Sequence, residues 1–481
     1  MSLQLTRFAV YGLHGKFDID IPIHDNRLIL VGVNGLGKTT VVNLIYFLLT
    51  AQWGRLLETE FISITVCVNG LNLEVSRQDI QNKSNLSERV DKVFARFADR
   101  SHFPPRVFKK VFTHPAYQSI LDLPHTARAK AVRDLSRDLE LPASYVMRLF
   151  DEIPRSVTDD LFESTKDAPA ISELLFALKE AGNQRVIYLP TFRRIEQDLK
   201  SIFPNLDDEE LRKLTSGGSN ALNPRNRGHV ELVQFGMHDV ETKIAEELEE
   251  IRERTRSQLT NLTASYLKDI ISNRADAIET DLLRQINDEL VTGVLDRVEE
   301  NTLSQEDKRE VRLAIGRIRD GGTVFEARDK YLAYFFSRVL EIYIYLAESE
   351  KKIRSLVATC NRYLERKHLR YNEAAFTVDI VDADDSALSW KVLSSGEKQV
   401  ASLFTHLYLS RDAEQIVIID EPELSLSVQW QKSLLPDISD SAACKLLIAV
   451  THSPFIYANK LDAYAVDLSK FITFHHRATP N

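Results

Sequence analysis

Apolar and polar positions alternate at the start of the chain: Leu5, Phe8 and Val10, then Phe17, Ile19 and Ile21, with Gly12 and Gly15 between the two sets. A period of two predicts a pair of strands joined by a turn. Positions 28–31 form an unbroken apolar run, which predicts a buried strand, and 40–49 reads as the helix that follows it. Strands resume at 61–68 and 71–75. The segment 100–150 alternates short helices with Pro-containing turns, and 186–189 reads as another strand. The stretch 216–229, rich in Gly, Asn and Ser, reads as a loop or linker.

After a strand-like segment at 230–235 the period changes. Val240, Ile244, Leu248, Ile251, Thr255, Leu259, Leu262 and Tyr266 recur at spacings of three and four, with Glu and Arg between them. That is a coiled-coil-like stripe. A second run at 331–363 places Leu332, Phe335, Val339, Ile342, Leu346, Ile353 and Leu356 in the same way. Two such arms are expected to pair antiparallel, each about 50–60 Å long at the helical rise. Shorter helices around 276–319 and the Gly321-Gly322 break join them. The alternative is a helical bundle packed on the rest of the chain.

The 481 residues are long for one compact unit, and a 44% apolar share is enough for real cores. The net charge of −9 argues against a protein that coats nucleic acid broadly. Cys67, Cys360 and Cys444 are far apart and lack metal-ligand spacing, so a reducing, cytoplasmic setting is expected. No signal-like segment or membrane-length apolar run is present, so no membrane partner is expected.

Chemistry is concentrated in four short segments. Gly32-Val33-Asn34-Gly35-Leu36-Gly37-Lys38-Thr39 matches the phosphate-binding P-loop pattern and lies between a predicted strand and a predicted helix. Its glycines let the backbone N–H groups wrap a phosphate; Asn34, Gly35, Gly37, Lys38, Thr39 and Thr40 are the candidate nucleotide contacts. Lys38 would reach the β- and γ-phosphates of ATP, and the Thr39 hydroxyl would ligate Mg2+. The β-branched run 416–419 ends in Asp420-Glu421, at the strand edge where α/β sheets place ligands. Asp420 would hold the metal through water and Glu421 would act as general base. Leu393-Ser394-Ser395-Gly396-Glu397-Lys398-Gln399 begins a helix, and the strand-like run 446–450 leads to Thr451-His452-Ser453-Pro454. Gln234, with Gln118 and Gln78 as competitors, is a further metal-ligand candidate. Arg193 and Arg194 fit a contact to phosphate or a neighbouring subunit and a solvated basic turn equally. Asp382-Ala383-Asp384-Asp385 reads as a hairpin turn rather than a metal loop.

In their order, the last three segments resemble the signature, Walker B and His-switch elements of ABC-type ATPases. The split head with a helical insertion resembles the RecF/SMC-like branch, and Asp420-Glu421-Pro422-Glu423-Leu424-Ser425-Leu426 is similar to the form found in RecF-like and overcoming-lysogenization-defect ATPases. Ser425 and Ser427 replace the His common there, and Ser395 departs from the signature consensus. The resemblance implies an α/β fold: a mixed sheet with a P-loop core, interrupted by an α-helical, coiled-coil-like stalk. Its parts are an N-terminal half-head at 1–236, a stalk at 237–370 and a C-terminal half-head at 371–481. It also implies that Ser394 and Gly396 face the γ-phosphate of a second copy, with His452 as the switch residue. The blocks at 188–196 and 235–237 look like the stand-alone ATPases of anti-phage systems, first the AriA subunit of PARIS and next the PtuA subunit of Septu. Those imply a homo-oligomeric scaffold that holds a separate nuclease effector and answers a phage protein trigger. The stretch after His452 is shorter than a C-terminal nuclease domain needs, so the effector is expected in trans. The competing implication is a DNA-repair ATPase that clamps DNA.

Overall fold

The computed structural model describes residues 3–84, 111, 120, 123, 125–139, 141–152, 169–180, 185–190, 229–231, 237–271, 288–296, 304–319, 327–373, 375–410 and 414–475. In chain order its strands are β1 (Leu5–Leu13), β2 (Phe17–Pro22), β3 (Arg27–Val31), β4 (Ser63–Val68), β5 (Leu71–Ser76), β6 (Arg185–Leu189), β7 (His229–Glu231), β8 (Lys367–Asn372), β9 (Thr377–Asp382), β10 (Ala387–Leu388), β11 (Gln415–Asp420), β12 (Cys444–Val450), β13 (Ala465–Asp467) and β14 (Ile472–Phe474). The fold is mixed α/β. The chain divides into two compact units, one of Met1–Val186, Lys445–His452 and Ala463–Asn481, the other of Ile187–Cys444 and Ser453–Asp462.

The first unit contains an antiparallel sheet in the order β14-β2-β1-β4-β5. Its register sets Phe8 opposite Ile21 and Val10 opposite Ile19, so the alternating apolar positions at the start of the chain become cross-strand pairs with their side chains buried. Beside it, β3 is flanked by β12 and β13, both parallel to it. The apolar run of β3 is buried at Leu28, Ile29 and Leu30, as expected of a strand covered on both faces. The following helix, Lys38–Leu49, buries Val41, Val42, Leu44, Ile45, Tyr46 and Leu48.

In the second unit the two periodic stripes are helices, His238–Ile271 and Ala327–Cys360, which pack against each other. Val240, Ile244, Leu248 and Ile251 of the first are buried, as are Leu346, Ile353 and Leu356 of the second. The start of the first arm, at Asp239 and Lys243, and the end of the second, at Thr359, both meet the helix Ser395–Tyr408. The arms therefore run antiparallel away from that helix. At 34 residues each they are about 51 Å long. The helices Asp288–Asp296 and Gln305–Arg319 contribute Val291, Val294, Leu295, Val311 and Ile315 to a core of their own with Phe336 and Leu340 of the second arm. The insertion thus pairs the two arms as expected and carries a small helical core on the second arm.

The second unit also holds the antiparallel sheet β10-β9-β8 and strand β11, which neighbours β6 and then β7. The Asp382–Asp385 segment is the expected hairpin turn: the Asp385 N–H donates to the Asp382 carbonyl, and Asp382 Oδ1 accepts from Asp384 and Ser386 N–H. Several boundaries differ from the sequence reading. The second arm stops at Cys360 and tightens into a 3-10 turn, Asn361–Tyr363, and β4 starts at Ser63, leaving Ile62 exposed. Gln234, Gln118, Arg193, Arg194 and most of the 188–196 and 235–237 blocks lie outside the described residues.

Candidate functional site

The first unit builds a glycine loop at the carboxyl end of β3. Gly32, Gly35 and Gly37 have φ of 140°, 84° and 82°, which side-chain-bearing residues rarely adopt, so the loop wraps tightly only with glycine. A Cβ at Gly35 or Gly37 would meet nothing within 4 Å, and Gly37 caps the helix Lys38–Leu49 without a side-chain hydrogen bond. The N–H groups of that helix end remain oriented for an anion. Lys38, only 5% exposed, donates from Nζ to the Gly32 carbonyl at 2.9 Å and the Val33 carbonyl at 3.0 Å. Its ammonium is held over the loop by the loop's own backbone. Asn34 is exposed, and Thr39 and Thr40 are half-buried on the first helical turn.

The same edge receives two further residues. Because β12 and β13 run parallel to β3, their carboxyl ends lie at the end of β3 from which the loop springs. The Thr451 N–H donates to the Leu30 carbonyl at 3.1 Å, and His452 follows it, exposed. On the other side, Asp467 Oδ1 would come within 3.4 Å of a Cβ at Gly32. Hydrogen bonds from the Ser469 hydroxyl and N–H hold the Asp467 carboxyl below the usual range. Sequence reasoning did not single out Asp467; its signal was only that a short strand follows the His segment.

The second unit holds the acidic and signature-like segments. β11 is buried from end to end, and Asp420 at its terminus is 0% exposed. Glu421 follows with φ of 52°, a left-handed backbone that costs a glutamate about 1–2 kcal/mol. A tight double turn continues from it, with Leu424 N–H donating to the Glu421 carbonyl and Leu426 N–H to the Glu423 carbonyl. Ser425 is again left-handed, at 66°. Glu423 Oε1 accepts from the Ser453 N–H at 3.2 Å, and Ser453 Oγ donates to Gln431 Oε1 at 2.7 Å.

Ser394 is the N-cap of the helix Ser395–Tyr408. It forms a reciprocal capping box: the Glu397 N–H donates to Ser394 Oγ, and the Ser394 N–H donates to Glu397 Oε2 at 2.7 Å. Gly396 is needed for packing, since a Cβ there would lie 2.3 Å from the Ser425 carbonyl oxygen. Glycine at 396 therefore lets this helix end approach the turn that follows Glu421. Gln78, one of the competing glutamines, hydrogen-bonds Asn82 on the surface.

Residues at the root of the second arm escaped the sequence reading. The Tyr363 hydroxyl donates to Asp437 Oδ2 at 2.5 Å, Arg362 donates to Asp437 Oδ1 at 2.8 Å, and the Tyr363 ring packs against Phe404 and Trp430. Burial and the Asp437 carboxylate push the Tyr363 hydroxyl far above its ordinary pKa, so it remains a donor. No motif marks such a contact.

Residues 238–458, less than half of the chain, match the family model described as "AAA domain, putative AbiEii toxin, Type IV TA system". Among curated proteins, none matches the sequence. Two solved structures align with nearly all of it at 13% identity. One is the Smc head domain with an extended coiled coil, bound to the C-terminal domain of ScpA, from Pyrococcus furiosus; 95% of this chain and 92% of that one are covered, with a TM-score of 0.32. The other is the Smc head domain with a coiled coil and joint from Pyrococcus yayanosii, where 95% and 93% are covered and the TM-score is 0.27. No described helix is long and apolar enough to cross a membrane. The chain thus has a P-loop pattern in its first unit, and its residues 238–458 are similar to the AAA domain that the family model describes.

Proposed function

We propose that the chain binds and hydrolyses ATP with an ABC-type site, as the oligomeric scaffold of an anti-phage defence system that holds a separate nuclease effector. The observation that carries the ATPase reading is the parallel placement of β3, β12 and β13, which delivers the phosphate loop, His452 and Asp467 to one sheet edge. Thr39 and Asp420 have the oxygen chemistry to hold Mg2+, which would neutralise charge on the phosphates. Lys38 and the loop N–H groups bind and orient the phosphates. Glu421 takes a proton from the attacking water, and His452 contacts the γ-phosphate. In this reading Ser394 and Gly396 meet the nucleotide of a second copy, and ATP closes the two heads. The matched model's description, which names a toxin of a type IV TA system, supports the defence reading over a DNA clamp.

Glu421→Gln tests the chemistry. It keeps ATP binding, measured with mant-ATP, and accumulates closed dimers or larger assemblies in mass photometry with ATP. Equal phosphate release by wild type and variant would remove Glu421 from its role. Co-expression with genomic neighbours tests the scaffold: a retained nuclease subunit is expected, whereas an ATP-dependent dimer that keeps no partner but binds DNA favours the clamp.

A further inference from the structure

The helix that begins at Ser394 has an acid in its first turn, at the end that the proposed reading aims at phosphate. An unneutralised carboxylate there would repel that phosphate. Glu397 is not left bare. Its side chain is 6% exposed, and its Oε2 lies 2.9 Å from Lys367 Nζ, whose own side chain is 17% exposed. Lys367 Nζ also donates to the Val392 carbonyl at 3.4 Å. One ammonium thus ties the residues on both sides of Ser394: the turn that enters the cap, and the carboxylate that accepts the cap's N–H. Burial makes this pair sensitive, because a lone carboxylate in such surroundings is costly.

Lys367 starts β8, shortly beyond the 3-10 turn that ends the second arm. Strand and turn are stapled together: Asn361 Nδ2 donates to the Leu369 carbonyl, and the Leu369 N–H donates to Asn361 Oδ1. The turn is itself fixed by Tyr363 on Asp437 and by Thr359 beside the Tyr408 hydroxyl at the far end of the same helix. We infer that Lys367 is a positioning residue: it neutralises Glu397 and sets the cap at Ser394, so that the root of the second arm governs the helix end presented to a second copy's nucleotide. The inference rests on the proposed reading that this helix end meets nucleotide in trans.

The test uses the full chain with Lys367→Met, Lys367→Arg and the double variant Lys367→Met/Glu397→Gln. The double variant leaves no unpaired buried charge and keeps a Gln that can complete the capping box, which guards against a simple folding defect. In Lys367→Met, kcat for ATP hydrolysis is expected to fall about tenfold, the size of a lost charge-assisted hydrogen bond, while mant-ATP affinity stays within about twofold. ATP-driven self-association is lost in parallel. The double variant, which has no bare carboxylate left to repel phosphate and keeps the cap, recovers most of kcat, as does Lys367→Arg. Wild-type kcat and association in Lys367→Met, or a double variant as slow as Lys367→Met, overturns the inference. If wild type itself does not associate with ATP, the in-trans reading falls first and takes the inference with it.

Discussion

The glycine loop before Lys38 and the serine-capped helix are both helix starts, and in the proposed function each meets an anion, yet they are built in opposite ways. The loop is settled between Gly32 and Lys38: three left-handed glycines shape it, and Lys38 is held by the carbonyls of Gly32 and Val33. The start of the helix Ser395–Tyr408 is local only in its capping box. Lys367, on a strand well upstream of Glu397, supplies its counter-charge, and the Ser425 carbonyl, on a turn well downstream of Gly396, sets how closely it packs. A site written in local backbone geometry depends on its own residues. One held by distant partners can be adjusted by whatever moves those partners.

The sharpest way to break this contrast is Lys38→Ala. Loss of the charged contacts to phosphate should weaken mant-ATP binding on the order of 100-fold. Hydrogen exchange in the second unit should be unchanged, and retained binding would exclude the loop as the nucleotide site. Gly396→Ala probes the other half: its Cβ forces the Ser425 turn to move, at about 1–3 kcal/mol. Exchange should rise over residues 394–400 and 421–427 while mant-ATP binding by the loop is kept. Tyr363→Phe removes one donor from Asp437 and should cost the arm root about 1 kcal/mol, seen as faster exchange at 359–364. Because burial holds the Tyr363 hydroxyl protonated, its tyrosinate absorbance should appear only on alkaline unfolding.

The smallest effect is expected far from both helix starts, at the pair Arg7–Asp20 on the antiparallel sheet. The Arg7 guanidinium holds the Asp20 carboxyl below its ordinary range. A lowered folded-state pKa means the contribution is present above the ordinary aspartate value, near about pH 4, and is lost as pH falls through the lowered one. Since both side chains are more than a third exposed, it is worth at most about 1 kcal/mol. The stability gap between wild type and Asp20→Asn should be constant at neutral pH and close in acid; a gap that widens in acid contradicts the sign.

Much of the fold was legible where periodicity is strong. The alternation at 5–21 became β1 and β2, and the spacing of Val240, Ile244, Leu248 and Ile251 became one buried helical face. The glycines at 32, 35 and 37 and the acids Asp420 and Glu421 at the end of β11 were legible because their chemistry fixes their spacing. Lys367, Asp437 and Tyr363 were not. A lone Lys opening a strand or a Tyr after a long helix has many ordinary explanations, and nothing in spacing reveals a partner far along the chain. Asp467 was missed for the same reason, since it gains meaning only from the parallel pairing of β13 with β3.

By itself the sequence determined the local devices: the phosphate-loop backbone, the capped helix start, the buried strand ending in Asp420-Glu421 and the two amphipathic arms. Each follows from dihedral preference or from the period of apolar residues, which act over a few neighbours. Tertiary structure alone decided which of them share an edge and what restrains them. The parallel register brings the loop, His452 and Asp467 together, the Lys367–Glu397 pair ties β8 to the capped helix, and the Tyr363–Asp437 contact ties the root of the arm to the helix Val428–Asp440. These are long-range pairings whose selection depends on burial of the whole core, because a charge or hydroxyl finds its partner only after packing has excluded water from both.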